Sequence, residues 1–301
     1  MSDNTIKESF DRDGYVVVND LIDLAALDPM RDFIASKVDG YAHEQLAEGK
    51  LSSAYEEESF ERRYAAICEA LDVSPRGWTF GIFGEVFYDL YTHPGILHVL
   101  GLILGPEVSN LGSPGLRTKI PDSVITSFPW HQDSQYIDQT KVGVKEQHTG
   151  NLAMVTVWIP LVEATVENGC CWVIPGSHRW GLLEGARGED VNVRMDEDVG
   201  ARGNPVPVPL EPGGALFMSN LCIHTSKVNR TRECRWSIDY RYFPTPSRAN
   251  LSPVEQTAAD FVQNKILSEG GVPLVVLPDE QRPTWVKWED DVKRQRGRVN
   301  N

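Results

Sequence analysis

The sequence lacks the features that mark several large protein classes. It has no apolar run of the ~18 residues that would cross a bilayer as a helix. Met1-Ser2-Asp3-Asn4 opens with neither a basic segment nor an apolar core, so no secretory signal is expected. Val299-Asn300-Asn301 matches no common address signal. The five cysteines, Cys68, Cys170, Cys171, Cys222 and Cys234, are odd in number, irregularly spaced and without a CxxC pair. That excludes a disulfide framework and the common zinc-binding patterns. Buried thiols in a reducing compartment are expected instead, with Cys222 and Cys234 close together. Basic residues are outnumbered 29 to 43, for a net charge of −14. Such a balance does not suit nucleic acid or an anionic membrane, which attract basic patches. No repeat or low-complexity tract is present. The expectation is a cytoplasmic protein acting on a small molecule; nothing in the sequence speaks to oligomeric state.

What is present is the make-up of a globular chain, 41% hydrophobic and 24% charged. A length of 301 residues can bury a full core as a single domain. Helical patterns dominate the first third. Residues 5–20 predict a short helix and then a strand at Tyr15-Val16-Val17-Val18. Helices are predicted over Leu21–Val38, Arg62–Leu71 and Val86–Ile103, with a charged, weakly periodic stretch at 39–63 read as a loop with some helix and a candidate lid. From Glu107 the pattern turns to β. Strands are predicted at Glu107–Leu111, Leu116–Ile120, Ser127–Ser134, Ala153–Leu161, Cys170–Ile174, Val206–Leu210, Ala215–Ser219, Cys222–Ser226 and Arg235–Phe243. Short strands between Gly, Pro and Asn turns point to a sandwich or jelly roll, mostly β with supporting helices. Gln135–Gly150 and Gly181–Asn204 are long polar connections, the first a second candidate lid. A helix near Pro253–Ser268 and an extension holding Trp285 and Trp288 complete the chain. The divisions within one domain, 1–301, are helical support at 1–106, a core at about 107–245 and an extension at 246–301.

The chemistry centres on Trp130-His131-Gln132-Asp133. On an extended strand, side chains two apart share a face, so His131 and Asp133 would aim at one point. A third ligand is placed at His224, after the Pro212-Gly213-Gly214 turn and an apolar run. Two histidines and a carboxylate with open positions form the facial triad of non-haem Fe(II) oxygenases. A hairpin closing at Asn229-Arg230 would set Arg235 opposite His224, with Ser226 on the same face. A guanidinium beside a hydroxyl receives a carboxylate well. A cosubstrate that chelates metal at one end and carries a carboxylate at the other, such as 2-oxoglutarate, fits this layout. Taken singly, His131, Asp133 and Arg235 could each be a satisfied polar residue, a turn cap and a surface ion pair. His43, His93, His98, His148 and His178 are read as loop, surface, core or capping residues.

These motifs resemble the phytanoyl-CoA dioxygenase family of Fe(II)/2-oxoglutarate oxygenases. The matching pieces begin at Phe10-Asp11-Arg12-Asp13-Gly14-Tyr15 and include Trp130-His131-Gln132-Asp133 and Val157-Trp158-Ile159-Pro160-Leu161. They continue through Glu167-Asn168-Gly169 and Pro175-Gly176-Ser177-His178 to His224-Thr225-Ser226, Arg235 and Tyr240-Arg241-Tyr242. The resemblance implies a double-stranded β-helix of the jelly-roll or cupin-like kind. It implies iron on His131, Asp133 and His224, and 2-oxoglutarate on Arg235 and Ser226, with Lys119 and Trp158 in the cosubstrate pocket. The family's halogenating relatives replace the carboxylate ligand by a small residue; Asp133 keeps it, which favours oxygenation.

The implied reaction consumes 2-oxoglutarate and O2, hydroxylates an unactivated C–H bond of a small or medium-sized metabolite, and releases succinate and CO2. Desaturation, epoxidation, cyclisation or demethylation by the same iron chemistry is the alternative outcome. A metal-dependent jelly-roll isomerase or hydrolase, and a non-catalytic binding protein, are the alternative classes. Arg117, Gln132, Gln135 and Arg241 are candidate substrate contacts, unranked by the sequence.

Overall fold

The computed structural model describes residues 1–75, 84–112, 115–137, 154–187, 192–195, 198–245 and 272–299. The N-terminal part runs α1 (Asp3–Asp13), β1 (Tyr15–Val18), α2 (Leu24–Ala47), α3 (Phe60–Leu71), α4 (Glu85–Tyr91) and α5 (Pro94–Leu104). Then come β2 (Val108–Asn110), β3 (Gly115–Lys119), β4 (Phe128–His131), α6 (Asp133–Ile137), β5 (Val155–Pro160) and β6 (Cys171–Val173). A short 3-10 turn at Ser177–Trp180 precedes β7 (Gly185–Arg187), β8 (Val193–Met195), α7 (Val199–Arg202) and β9 (Val206–Val208). The chain continues with β10 (Ala215–Ser219), β11 (His224–Ser226), β12 (Arg235–Pro244), β13 (Leu274–Leu277) and α8 (Trp285–Val299).

Among the described residues two antiparallel sheets carry the fold. The larger runs β1-β10-β5-β12-β2-β13, with β3 also paired to β12; the smaller runs β4-β11-β6-β9. Period-two alternation sorts the larger sheet's faces. Trp236, Ile238, Tyr240 and Tyr242 of β12, with Val155, Val157 and Ile159 of β5, join a core with Leu27, Ile34, Tyr64, Phe87 and Leu100 of the helices. The helices are thus the outer support that the sequence predicts. The opposite face contributes Trp158, Leu216 and Met218 to a second cluster with Cys171, Val173 and Val208 of the smaller sheet. The two sheets therefore face each other across this cluster.

Local chemistry explains most element ends. Ser2 accepts from the Thr5 amide at the start of α1, and Gly14 ends that helix at φ 77°. A side chain at Gly14 would also strike the His178 ring, since its Cβ would lie 2.3 Å from Nδ1. The predicted single helix Val86–Ile103 is two helices, because Pro94 has no amide hydrogen to continue the ladder and His93 caps the restart through Gly95. About half of the charged stretch 39–63 is helical: α2 runs to Ala47 and α3 begins at Phe60. Arg63 ties the turn between them, donating to the Ala54 carbonyl and to Asp39. The connection Gly181–Asn204 contains the β7–β8 pair and α7. Trp288 is buried against Tyr88 and Tyr91, so the C-terminal helix packs back on α4. The predicted helix near Pro253–Ser268 lies outside the described residues, as does most of Gln135–Gly150.

The hairpin closing at Asn229-Arg230 is not formed. β11 pairs with β4 and β6 in the smaller sheet, whereas β12 pairs with β2, β3 and β5 in the larger. Buried Asn229 directs the crossing by donating to the carbonyls of Lys119 and Glu233 and accepting from Thr231. Cys222 and Cys234 consequently sit in different clusters, and all five cysteines are free and buried. No helix among the described residues is long and apolar enough to cross a membrane.

Candidate metal centre and cosubstrate pocket

His131 ends β4 and lies opposite His224, which begins β11; their ring centroids are 4.1 Å apart. Asp133 is not on the strand as expected. The strand stops at His131, and Asp133 is the first residue of α6. Gln132 makes the break: its amide donates to the Gly181 and Leu221 carbonyls and its oxygen accepts from Leu183. The ligand atoms of His131, Asp133 and His224 nevertheless all lie within 4.8 Å of one another, and all three residues are buried.

Each imidazole is oriented by its other nitrogen. Nδ1–H of His131 donates to the Pro129 carbonyl at 2.8 Å, and that of His224 to the Cys222 carbonyl at 3.0 Å. Both Nε2 lone pairs are left for a metal, at 3.9 and 4.0 Å from Asp133 Oδ1. Burial, and then His224 beside it, pushes His131 down to about 3, so it is neutral at physiological pH, as a ligand must be. Burial opposes ionisation of Asp133, but Arg241 and the two imidazoles hold it well below the usual carboxylate range. Arg241 Nη2 donates to its Oδ1 at 3.1 Å and the Thr156 hydroxyl donates to Oδ2. Two imidazole nitrogens and one carboxylate oxygen suit Fe(II).

The strand carrying His224 is held by the Pro-Gly-Ser-His motif. Ser177 Oγ accepts from the Ile223 amide at 2.9 Å, and Ile174 donates to the Ile223 carbonyl. The same motif grips the end of α1, where Gly176 donates to the Asp13 carbonyl at 2.7 Å. Two motifs far apart in sequence thus form one brace behind the ligand.

Arg235 and Ser226 meet across the gap between the sheets rather than along a hairpin. Arg235 Nη2 donates to Ser226 Oγ at 3.3 Å, and Nη1 donates to Ser237 Oγ. Its Nε is buried without a partner, and no carboxylate pairs with it among the described residues. Trp158 lies under this guanidinium, 5.3 Å from ring centroid to Cζ, and donates from Nε1 to Ser237 Oγ. A buried guanidinium with an unmet donor and no counter-ion is a receptor for a carboxylate.

Lys119 differs from expectation. It is buried opposite Arg235 in the β3–β12 register, but its ammonium donates to the carbonyls of Thr126, Ser226 and Lys227. Its donors tie β3 to β11 beside Arg235. The Gln132 side chain is fully engaged with backbone, and Gln135 accepts from the Gln132 backbone amide and donates to the Leu183 carbonyl. Arg117 and Arg241 are partly exposed and share Asp239. The role of Arg241 beside Asp133 escaped the sequence reading, although β12 alternation from Arg235 places it on the same face. Thr156 carried no signal of its own.

The family model for phytanoyl-CoA dioxygenase matches residues 10–237. A probable phytanoyl-CoA dioxygenase of Caenorhabditis elegans is 28% identical over 52% of this chain and 50% of that protein. A methylphosphonate hydroxylase of Gimesia maris is 35% identical over 29% of this chain and 32% of that protein. The matches thus span half or less of the length of these curated relatives. The solved structure of a non-heme monooxygenase, ThoJ in its apo form, is alike in fold at a TM-score of 0.57 and 20% identity, over 98% of this chain and 97% of that one. The family match runs from the end of α1 to the first residues of β12 and takes in His131, Asp133, His224, Ser226 and Arg235. On the extent of that match, the chain belongs to the phytanoyl-CoA dioxygenase family.

Proposed function

We propose that this protein is a non-haem Fe(II)- and 2-oxoglutarate-dependent dioxygenase that hydroxylates an unactivated C–H bond of a small or medium-sized metabolite. The observation that carries this is the buried Arg235 guanidinium, without a carboxylate partner among the described residues, alongside a buried His-Asp-His cluster. Such a receptor argues against a hydrolase or isomerase metal site. The β4-β11-β6-β9 sheet facing the larger sheet supports a double-stranded β-helix core, and the strands β1 and β13 at opposite ends of the larger sheet support reading 1–301 as one domain.

His131, His224 and Asp133 would hold the iron, and Arg235 with Ser226 would hold the far carboxylate of 2-oxoglutarate. When bound, iron and 2-oxoglutarate supply the oxidative activation of O2, with succinate and CO2 as coproducts. The chain's own contribution is positioning. The Pro129 and Cys222 carbonyls fix both imidazole tautomers, and Arg241 and Thr156 fix the Asp133 carboxylate. Tyr136 stands edge-on to His131 at 5.3 Å and limits its rotation. Trp158, Leu216 and Met218 make the adjacent interior apolar and exclude water.

The test is to add Fe(II) and 2-oxoglutarate to the apoprotein without air and record the visible spectrum. A weak charge-transfer band that needs both additions and is absent in His224→Ala supports the reading. Tight binding of another metal with no such band would overturn it.

A further inference from the structure

We propose that the substrate carries an oxyanion, a carboxylate or a phosphonate, which docks on the guanidinium pair Arg117 and Arg241. This rests on the function proposed above and names the substrate class for that site.

The pair belongs to a line of charges that ends at the metal ligand. Arg117 donates from Nε to Asp239 Oδ2 at 2.6 Å and from Nη2 to Oδ1 at 3.3 Å. Arg241 donates from Nη1 to Asp239 Oδ1 at 2.8 Å and from Nη2 to Asp133 Oδ1 at 3.1 Å. Strand geometry builds this line. Arg235, Ser237, Asp239 and Arg241 alternate along β12 onto one face, and the β3 register sets Arg117 opposite Ser237 and Gly115 opposite Asp239. Gly115 leaves room for the carboxylate, since a Cβ there would lie 2.4 Å from Asp239 Oδ1.

Charge and exposure point the line outward. Among the described residues Asp239 and Asp133 balance the two guanidiniums; a metal on Asp133 would share that carboxylate and leave Asp239 to serve both. The Asp239 side chain is only 8% exposed, whereas those of Arg117 and Arg241 are 24% and 21% exposed. The anion is sealed and both cations reach open space. Nη1 of Arg117 makes no hydrogen bond among the described residues. Arg117 also lies 5.1 Å over Phe128, whose ring is 6.2 Å from that of His131. Arg241 touches Asp133 directly, so the pair adjoins the proposed metal ligands, where a reacting C–H bond must come. Two guanidiniums flanking one opening match the planar, bidentate recognition of an oxyanion. Arg235 is separate: it is enclosed with Ser226, Ser237 and Trp158 and is taken by the cosubstrate.

The experiment titrates protein holding Fe(II) and 2-oxoglutarate, without air, with propionate, ethylphosphonate and neutral propionamide. Calorimetry gives the affinities and the charge-transfer band reports the iron site. At least one oxyanion is expected to bind about tenfold or more tightly than propionamide, and Arg117→Met to remove that preference with the band intact. Arg117→Lys should recover part of it, which a folding defect would not. Preference for propionate assigns a carboxylate and preference for ethylphosphonate a phosphonate. Equal affinity for all three probes, no binding of either oxyanion, or unchanged affinity in Arg117→Met overturns the proposal. So does loss of the band as the oxyanion binds, which would place it on Arg235. A wild-type protein that forms no band at all overturns the iron and 2-oxoglutarate reading itself, and this proposal with it.

Discussion

His224 faces His131 across the β4–β11 pair, with both Nε2 atoms about equally far, 4.0 and 3.9 Å, from one oxygen of Asp133. On the proposed iron site this near-symmetric arrangement gives each residue one ligand position. His224→Ala or Asp133→Ala should weaken Fe(II) binding by more than the about 10- to 100-fold that loss of an outer hydrogen-bond partner costs. Anaerobic metal titration checks this; wild-type iron content in both variants would remove the assignment.

Arg235→Met should leave Fe(II) binding intact and raise the 2-oxoglutarate concentration needed for half-maximal succinate release. A charge-assisted hydrogen bond contributes about 1.5–3 kcal/mol, so the rise should be at least about tenfold. An unchanged requirement would show that the far carboxylate lies elsewhere.

Lys119→Met separates a structural role from a pocket role. The ammonium serves three carbonyls, and its stem lies on Gly169, where a Cβ would sit 2.6 Å from Lys119 Cδ. The variant should lose about 2–4 kcal/mol of unfolding free energy in denaturant titration. Its 2-oxoglutarate affinity should change little. The reverse pattern would return Lys119 to the cosubstrate.

Acid should destabilise the metal-free protein through its site. Burial, with His224 beside it, lowers His131 from 6.5 to about 3, so the unfolded chain takes this proton first. Stability from this residue is complete above 6.5 and is lost as pH falls toward 3. Asp133 is held below its ordinary 3.8 by Arg241 and the two imidazoles against the opposing effect of burial, so its contribution is present above 3.8 and falls below it. The thermal midpoint should decline steadily with acidification from about pH 6.5, and His131→Gln should flatten the upper part of that decline. A wild-type midpoint that stays level down to about pH 4 would contradict this.

The clustering of His131, Asp133 and His224 and most strands were legible in the sequence because their signals are local. His131, Asp133, His224 and Arg235 stand in short motifs, β10 begins where an apolar run begins, and β12 where polar and apolar residues begin to alternate. What could not be read from periodicity is contact between sheets. Ser226 reaches Arg235 only because Asn229 turns the chain from one sheet to the other, and a local pairing rule assigns such a turn to a hairpin. The helix start at Asp133 was hidden for a similar reason. Gln132 ends β4 through carbonyls of Gly181 and Leu221, which are distant in sequence. The Arg117–Asp239–Arg241 line needs both the β12 alternation and the β3 register, and only the first is visible in one stretch of chain.

The placement of β13 bears on how this protein is made. It pairs Leu274 with Asn110 and Val275 with Ser109, closing the flank of β2 with a segment from far along the chain. During synthesis that flank stays open until residues beyond 272 have emerged, although the ligand-bearing strands are already complete. An open strand flank is a template for pairing with other chains. Chains halted before that point should therefore carry every metal-binding side chain and still tend to aggregate, and pairings so distant in sequence should make the last stage of folding slow.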